Sequence, residues 1–234
     1  MRASTPFLRH TLKRRCRKGK ENPERLNERM GIPGKARPAD RLIWIHGASV
    51  GEAQSAIVLI DALSKNLPDA NFLVTTGTVT SADLMQKRLP QRAFHQFYPL
   101  DHPLWVQRFL NHWQPDLVLW MESELWPGML AEVKKRDIPA ALINARLSPK
   151  SFRRWKLAGR KSKELLATFR LIVAQTPEDA EKFTALGADK VISADNLKYA
   201  AAPLPYNEDD LQKIKAAIGE RPLWLYASTH SGVR

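Results

Sequence analysis

Short apolar stretches alternate with helix-length amphipathic stretches along most of this chain, and that alternation constrains the fold more than any other feature. Strands are expected at 42–47, 71–76, 94–98, 116–121, 139–144, 170–175, 191–194 and 222–227. Helices are expected at 51–66, 79–88, 103–113, 125–136, 155–168, 177–186 and 207–219. Strands alternating with helices of this length build βαβ units around a mostly parallel sheet. The run Leu117 to Trp120 is apolar throughout, as in strands covered on both faces. In open sheets of this kind ligands bind outside the carboxyl ends of the strands. The turns at those ends are therefore where functional side chains belong.

Residues 1–40 stand apart. They are polar, basic and broken by Pro23, Pro33 and Pro38, and read as an arm with one short helix at Glu24–Met30. The net charge is +13, and eight basic residues with no acid fall in the first twenty positions: Arg2, Arg9, Lys13, Arg14, Arg15, Arg17, Lys18 and Lys20. Three readings compete: a solvated tail, attraction to anionic lipid at roughly 1 kcal/mol per basic residue, and nucleic acid. Nucleic acid ranks lowest. The cluster lacks interleaved aromatics, and no helix-turn-helix, zinc or RNA-binding signature follows. The single cysteine, Cys16, excludes an intramolecular disulfide and suits a cytosolic compartment. No run of about 18 apolar residues reads as a membrane span, and no secretory signal is visible.

Three turns carry the chemistry. The first runs from Arg41 to Glu52: an apolar strand, the small residues Gly47, Ala48, Ser49 and Gly51, and then a helix. Glu52 opens that helix, where the dipole favours a carboxylate suited to general base work. The same Ser49-x-x-Glu52 spacing is that of a capping box, and on spacing alone the cap is the stronger reading. It is not a dinucleotide fingerprint, because Gly47 and Gly51 do not make G-x-G-x-x-G. The second turn, Trp120-Met-Glu-Ser-Glu-Leu-Trp-Pro127, puts Glu122 and Glu124 at the same sheet edge, with Pro127 in the first helical turn. Acids that merely complement the helix dipole are the competing account. The third is Asn196-Leu-Lys198, whose lysine can stabilise developing negative charge or be simply solvated. Thr75 to Thr78 offers hydroxyls and N–H groups to a phosphate or sugar, and Arg146 an anion clamp. The basic stretch Lys150 to Lys163 fits either acidic lipid headgroups or a solvated helix face. The six histidines show no metal-ligand spacing.

Taken in order, these pieces resemble the 3-deoxy-D-manno-octulosonic acid (Kdo) transferases of lipopolysaccharide synthesis. The resemblance is carried by Trp44-Ile-His with Ser49-Val-Gly-Glu52, then Leu73-Val-Thr-Thr76, Tyr98-Pro-Leu-Asp101, Met121 to Pro127, Asn144-Ala-Arg146-Leu-Ser148, Asn196-Leu-Lys198 and Ala227-Ser-Thr-His230. It implies a GT-B glycosyltransferase, with an open Rossmann-like acceptor domain at 41–205 and a linker helix and first strand of a donor domain at 206–234. The implied reaction moves Kdo from CMP-Kdo to lipid IVA with inversion, at the cytoplasmic face of the bacterial inner membrane. Glu52 matches the family's base, and Glu122 and Lys198 its transition-state-stabilising positions. Ser49, Gly51, Thr76, Glu124 and Arg146 are expected to meet the acceptor, with no metal or cofactor required.

Three departures follow. The N-terminus offers a basic arm in place of an apolar anchor, so attachment is expected to be peripheral. Asp195 stands where the family usually has glycine. The resemblance covers the N-terminal half of a typical member, so the donor domain is expected to be largely missing and the chain inactive alone. A non-catalytic acidic-lipid-binding module and the acceptor half of a split enzyme are the alternatives. Strand 222–227 is then expected to leave Leu223, Trp224, Leu225 and Tyr226 partly exposed.

Overall fold

The computed structural model describes residues 4–122, 124–200, 206–225 and 227. The chain divides into two compact units, residues 1–201 and 202–234. The first holds helix α1 (Ser4–Arg17), strand β1 (Leu42–His46), α2 (Val50–Asn66), β2 (Asn71–Thr76), α3 (Val79–Arg88), β3 (Ala93–Phe97), α4 (Pro103–Trp113), β4 (Leu117–Met121), α5 (Pro127–Lys135), β5 (Ala140–Ala145), α6 (Pro149–Leu157), α7 (Arg160–Leu166), β6 (Leu171–Ala174), α8 (Pro177–Ala185) and β7 (Val191–Ser193). All seven strands are parallel, in the order β3-β2-β1-β4-β5-β6-β7. The order reverses between β1 and β4, which creates a switch point at their carboxyl ends.

Every residue of β1 is buried. Side chains alternate across a strand, so Leu42 and Trp44 enter one core with Val118 and Trp120, while Ile43 and Ile45 enter another with Leu119 and Met121. The first core holds α4 and α5 against the sheet, and the second holds α2. Continuous apolar strands are what a sheet covered on both faces requires.

The expected strands and helices match closely, with three differences. The helix expected at 155–168 is two helices. Ser148 caps α6, Pro149 sits in its first turn, and Gly159 at φ +53 separates it from α7. Residues 222–225 form no strand, and Leu223, Trp224 and Leu225 are exposed. Tyr226 and most of the Ala227 to His230 motif lie outside the described residues.

The third difference is the arm. Residues Ser4–Arg17 are helical, anchored by buried Leu12 and a Thr5–His102 hydrogen bond of 3.2 Å. The turn Leu26–Met30 is a 3₁₀ helix, with Glu28 and Arg29 both buried. Glu28 accepts the Phe97 N–H at 2.7 Å, which continues the edge of β3 with a side chain. Arg29 forms a two-pronged pair with buried Glu21 at 2.9 and 3.1 Å. These residues look like a polar arm in sequence because their charges pair with each other inside the fold.

In the second unit Asn207 caps helix α9 (Glu208–Ile218), and its three leading acids suit the positive end of the dipole.

Candidate active site

Glu52 and Glu122 follow β1 and β4, the two strands that flank the switch point. Ser49 is the N-cap of α2 and accepts the Glu52 N–H at 3.3 Å. The Glu52 carboxylate reaches back, accepting the Ala48 N–H at 2.6 Å and the Ser49 hydroxyl at 3.1 Å. This is a capping box displaced by one residue. The cap and the candidate base are thus one structure: capping fixes the carboxylate in place. Glu52 is only 8% exposed. Burial pushes its pKa up, the Ala48 N–H opposes this, and the Glu122 charge adds to it, with smaller contributions from Ser49 and Glu124. A carboxylate tuned upward is a stronger proton acceptor than an ordinary one.

Two glycines make room here. A Cβ on Gly47 would stand 3.0 Å from that of Glu52, and one on Gly51 would stand 3.3 Å from Lys198 Nζ.

Glu122 has φ +55, uncommon for a residue with a side chain and costly by about 1–3 kcal/mol. Its N–H still donates to the Ile143 carbonyl at 3.0 Å, so the strained turn is held by the sheet. Lys198 Nζ lies 3.5 Å from Glu122 Oε1, closing an ion pair across the edge. Asp195 is not among the residues with positive φ, so it is accommodated at its turn without left-handed strain.

The remaining expected residues separate. Ser49, Glu124 and Arg146 are exposed on the same edge. Desolvation pushes the Glu124 carboxyl up as well. Thr76 does not face the edge: it is fully buried, and its hydroxyl is hydrogen-bonded to His95 Nε2 at 2.9 Å. Burial, with Arg25 and Arg29 nearby, pushes His95 down to about 3, so the imidazole is neutral.

Sequence reasoning missed several supports. Asp101 accepts the Gly128 and Met129 N–H groups at 2.8 and 2.7 Å, capping α5 from another loop and steadying the Glu124 turn. Only a partner three-dimensionally adjacent to the α5 start reveals that role. His46 packs at a tilt against Tyr98 and Trp120, with centroids at 4.1 and 4.4 Å, beneath the edge. Burial pushes it down to about 3, so it is a neutral part of the aromatic floor. Among the described residues no group of three or more His, Cys, Asp or Glu is placed to hold a metal.

A seven-stranded parallel sheet with helices on both faces and carboxylates flanking its switch point is an open Rossmann-like α/β domain. Its solved neighbours include the S. aureus MnaA–UDP co-structure, with TM-score 0.51 and 14% identity over 74% of this chain and 51% of that one. A putative UDP-N-acetylglucosamine 2-epimerase from Listeria monocytogenes has TM-score 0.52 and 11% identity over 75% and 51%. At such identities the likeness is of fold alone.

The chain belongs to the 3-deoxy-D-manno-octulosonic-acid transferase (kdotransferase) family, which matches residues 24–201. The 3-deoxy-D-manno-octulosonic acid transferase of Rickettsia bellii is 41% identical over 91% of this chain and 50% of its own length. That of Haemophilus influenzae is 35% identical over 89% and 50%. A probable mitochondrial member from Arabidopsis thaliana is 34% identical over 97% and 53%. The chain spans about half the length of these curated relatives.

Proposed function

We propose that this chain supplies the acceptor side and the base for transfer of Kdo from CMP-Kdo to lipid IVA. The observation that carries the reading is Glu52, a buried carboxylate with raised pKa fixed at the switch point opposite the Glu122–Lys198 pair. Glu52 takes the proton of the acceptor hydroxyl. The freed oxygen pair attacks the anomeric carbon, the new glycosidic bond forms, and the sugar–phosphate bond breaks with its electrons leaving on CMP. Attack from the face opposite the leaving group inverts the anomeric carbon. Glu122 offers negative charge to an oxocarbenium-like sugar, and Lys198 offers positive charge to developing anionic oxygen. Ser49, Gly51, Glu124 and Arg146 remain the proposed acceptor contacts.

The test is transfer by the purified chain, with CMP-Kdo and lipid IVA supplied and Glu52→Ala as control. Transfer that disappears in the variant supports the reading, and transfer that survives removes the base. Lipid IVA binding without transfer favours the alternative, an acceptor-binding module that needs further polypeptide for chemistry. Neither binding nor transfer overturns both.

An anionic membrane surface is the proposed partner, and α6 supports it. Phe152 and Trp155 pack toward the core, while Lys150, Arg153, Arg154 and Lys156 are exposed and make no ion pair among the described residues. Leu157, 90% exposed, stands beside these cations as an apolar point for insertion. No helix among the described residues is long and apolar enough to cross a membrane. Reversing the four charges to Glu should weaken binding to phosphatidylglycerol vesicles at least about 100-fold at low salt, given roughly 1 kcal/mol per basic residue. Equal binding of the parent chain to phosphatidylcholine vesicles, or no loss on reversal, counts against α6.

A further inference from the structure

Lys198 stands on a short 3₁₀ turn, Leu197–Ala200, in which no residue is buried. Leu197 rests partly buried against the core beneath α2, and side chains hold the backbone of the turn as well. Asn144 Oδ1 accepts the Leu197 N–H and Asn196 Oδ1 accepts the Lys198 N–H, both at 3.1 Å. One residue bridges these two asparagines. Gln175 Nε2 donates to the Asn144 carbonyl at 3.0 Å, and Gln175 Oε1 accepts from Asn196 Nδ2 at 3.3 Å. Gln175 is itself pinned just beyond β6, its N–H donating to the Ala145 carbonyl at 2.9 Å. Asn144 sits at φ +55, so its amide leaves the strand direction as the bridge requires.

We infer that Gln175 is the positioning residue for Lys198. Its single amide side chain ties the ends of β5 and β6 to the turn that carries the lysine. At the far end of that turn the ammonium is delivered to Glu122 and to the open face of Gly51. Lysine side chains have high rotamer entropy, so fixing the backbone beneath Lys198 narrows where its charge can go. That Lys198 acts in transfer rests on the proposed function; that Gln175 places it does not.

The readout is the Gly51 amide signal in a ¹⁵N–¹H correlation spectrum of the whole chain. Gly51 lies on α2, and it reports the nearby ammonium. Lys198→Met should move this signal. Gln175→Met, similar in length but without either hydrogen bond, should move it in the same direction by at least half as much. Adding Gln175→Met to Lys198→Met should change Gly51 no further. Asn196→Asp keeps an oxygen for the Lys198 N–H but loses the donor to Gln175, and should reproduce the shift if Gln175→Met does not fold.

A Gly51 signal unmoved by Gln175→Met or Asn196→Asp overturns the inference. So does one unmoved by Lys198→Met, or an extra displacement in the double variant. Failure of both lipid IVA binding and transfer with these shifts present removes the proposed function and leaves the positioning role standing.

Discussion

Replacing Arg29 with methionine is expected to destabilise the first unit by about 3–5 kcal/mol, the usual cost of removing one member of a buried pair. The methionine fills much of the same volume, so the loss is electrostatic. Among the described residues Glu21 would remain buried with only Arg15, at 2.7 Å, to answer its charge. Two carbonyls would also lose donors: Arg29 Nη1 donates to Tyr98 at 2.8 Å and Nη2 to Gly77 at 2.6 Å. Those residues follow β3 and β2, at the edge that carries the site. The consequence reaches the candidate base. The Gly77 N–H donates to the Ala48 carbonyl at 3.2 Å, and the Ala48 N–H holds Glu52. Urea denaturation of parent and variant measures the effect. A change under 1 kcal/mol would mean that the Glu21–Arg29 pair opens to water, and that residues 21–32 lie on the domain without bracing it.

Much of this architecture is legible in the sequence, for reasons that Arg29 makes clear by contrast. Strands such as Leu42–His46 are apolar on both faces, and helices such as α3 and α4 begin and end at recognisable signals: Thr78 as cap, Pro103 in the first turn. These signals are local. Glu52 and Glu122 could be placed at one edge because alternating strands and helices force their turns there. Three kinds of feature were not legible. Charges that pair across sequence, as Glu21 with Arg29 and Glu28 with the Phe97 N–H, look like solvated polar residues until the partner is seen. A hydroxyl such as Thr76 looks available until His95 is found 2.9 Å away on a neighbouring strand. The Gln175 bridge joins the end of β5 to the segments that follow β6 and β7, and nothing in the composition of any one of them announces it.

The second large effect concerns Glu52 itself, where stability and activity should move in opposite directions. Glu52→Gln keeps a side-chain oxygen for the Ala48 N–H and an amide that can meet Ser49, so the cap at the start of α2 survives. It removes a charge that burial and Glu122 disfavour. The sign follows from linkage. A carboxyl whose native pKa lies above its unfolded value binds protons more tightly when folded, so stability falls as pH rises between the two values. The parent chain therefore carries a penalty at pH 8 that the amide lacks. The variant should melt higher than the parent at pH 8, with the gap closing as pH falls from the raised native pKa toward the ordinary carboxylate value and absent below it. Transfer, in whatever assembly supports it, should drop by about 10²–10⁴, the usual contribution of a positioned base. The acid limb of the parent's pH profile should also lie above that of an ordinary carboxylate. Glu124→Gln, by removing one of the charges that raise Glu52, should move that limb to lower pH. A Glu52→Gln variant that is less stable at pH 8 and fully active would identify the carboxylate as a helix cap and nothing more. Gain of stability with loss of transfer is the signature of a group held in an unfavourable ionisation state for chemistry, and a purely structural cap has no reason to show it.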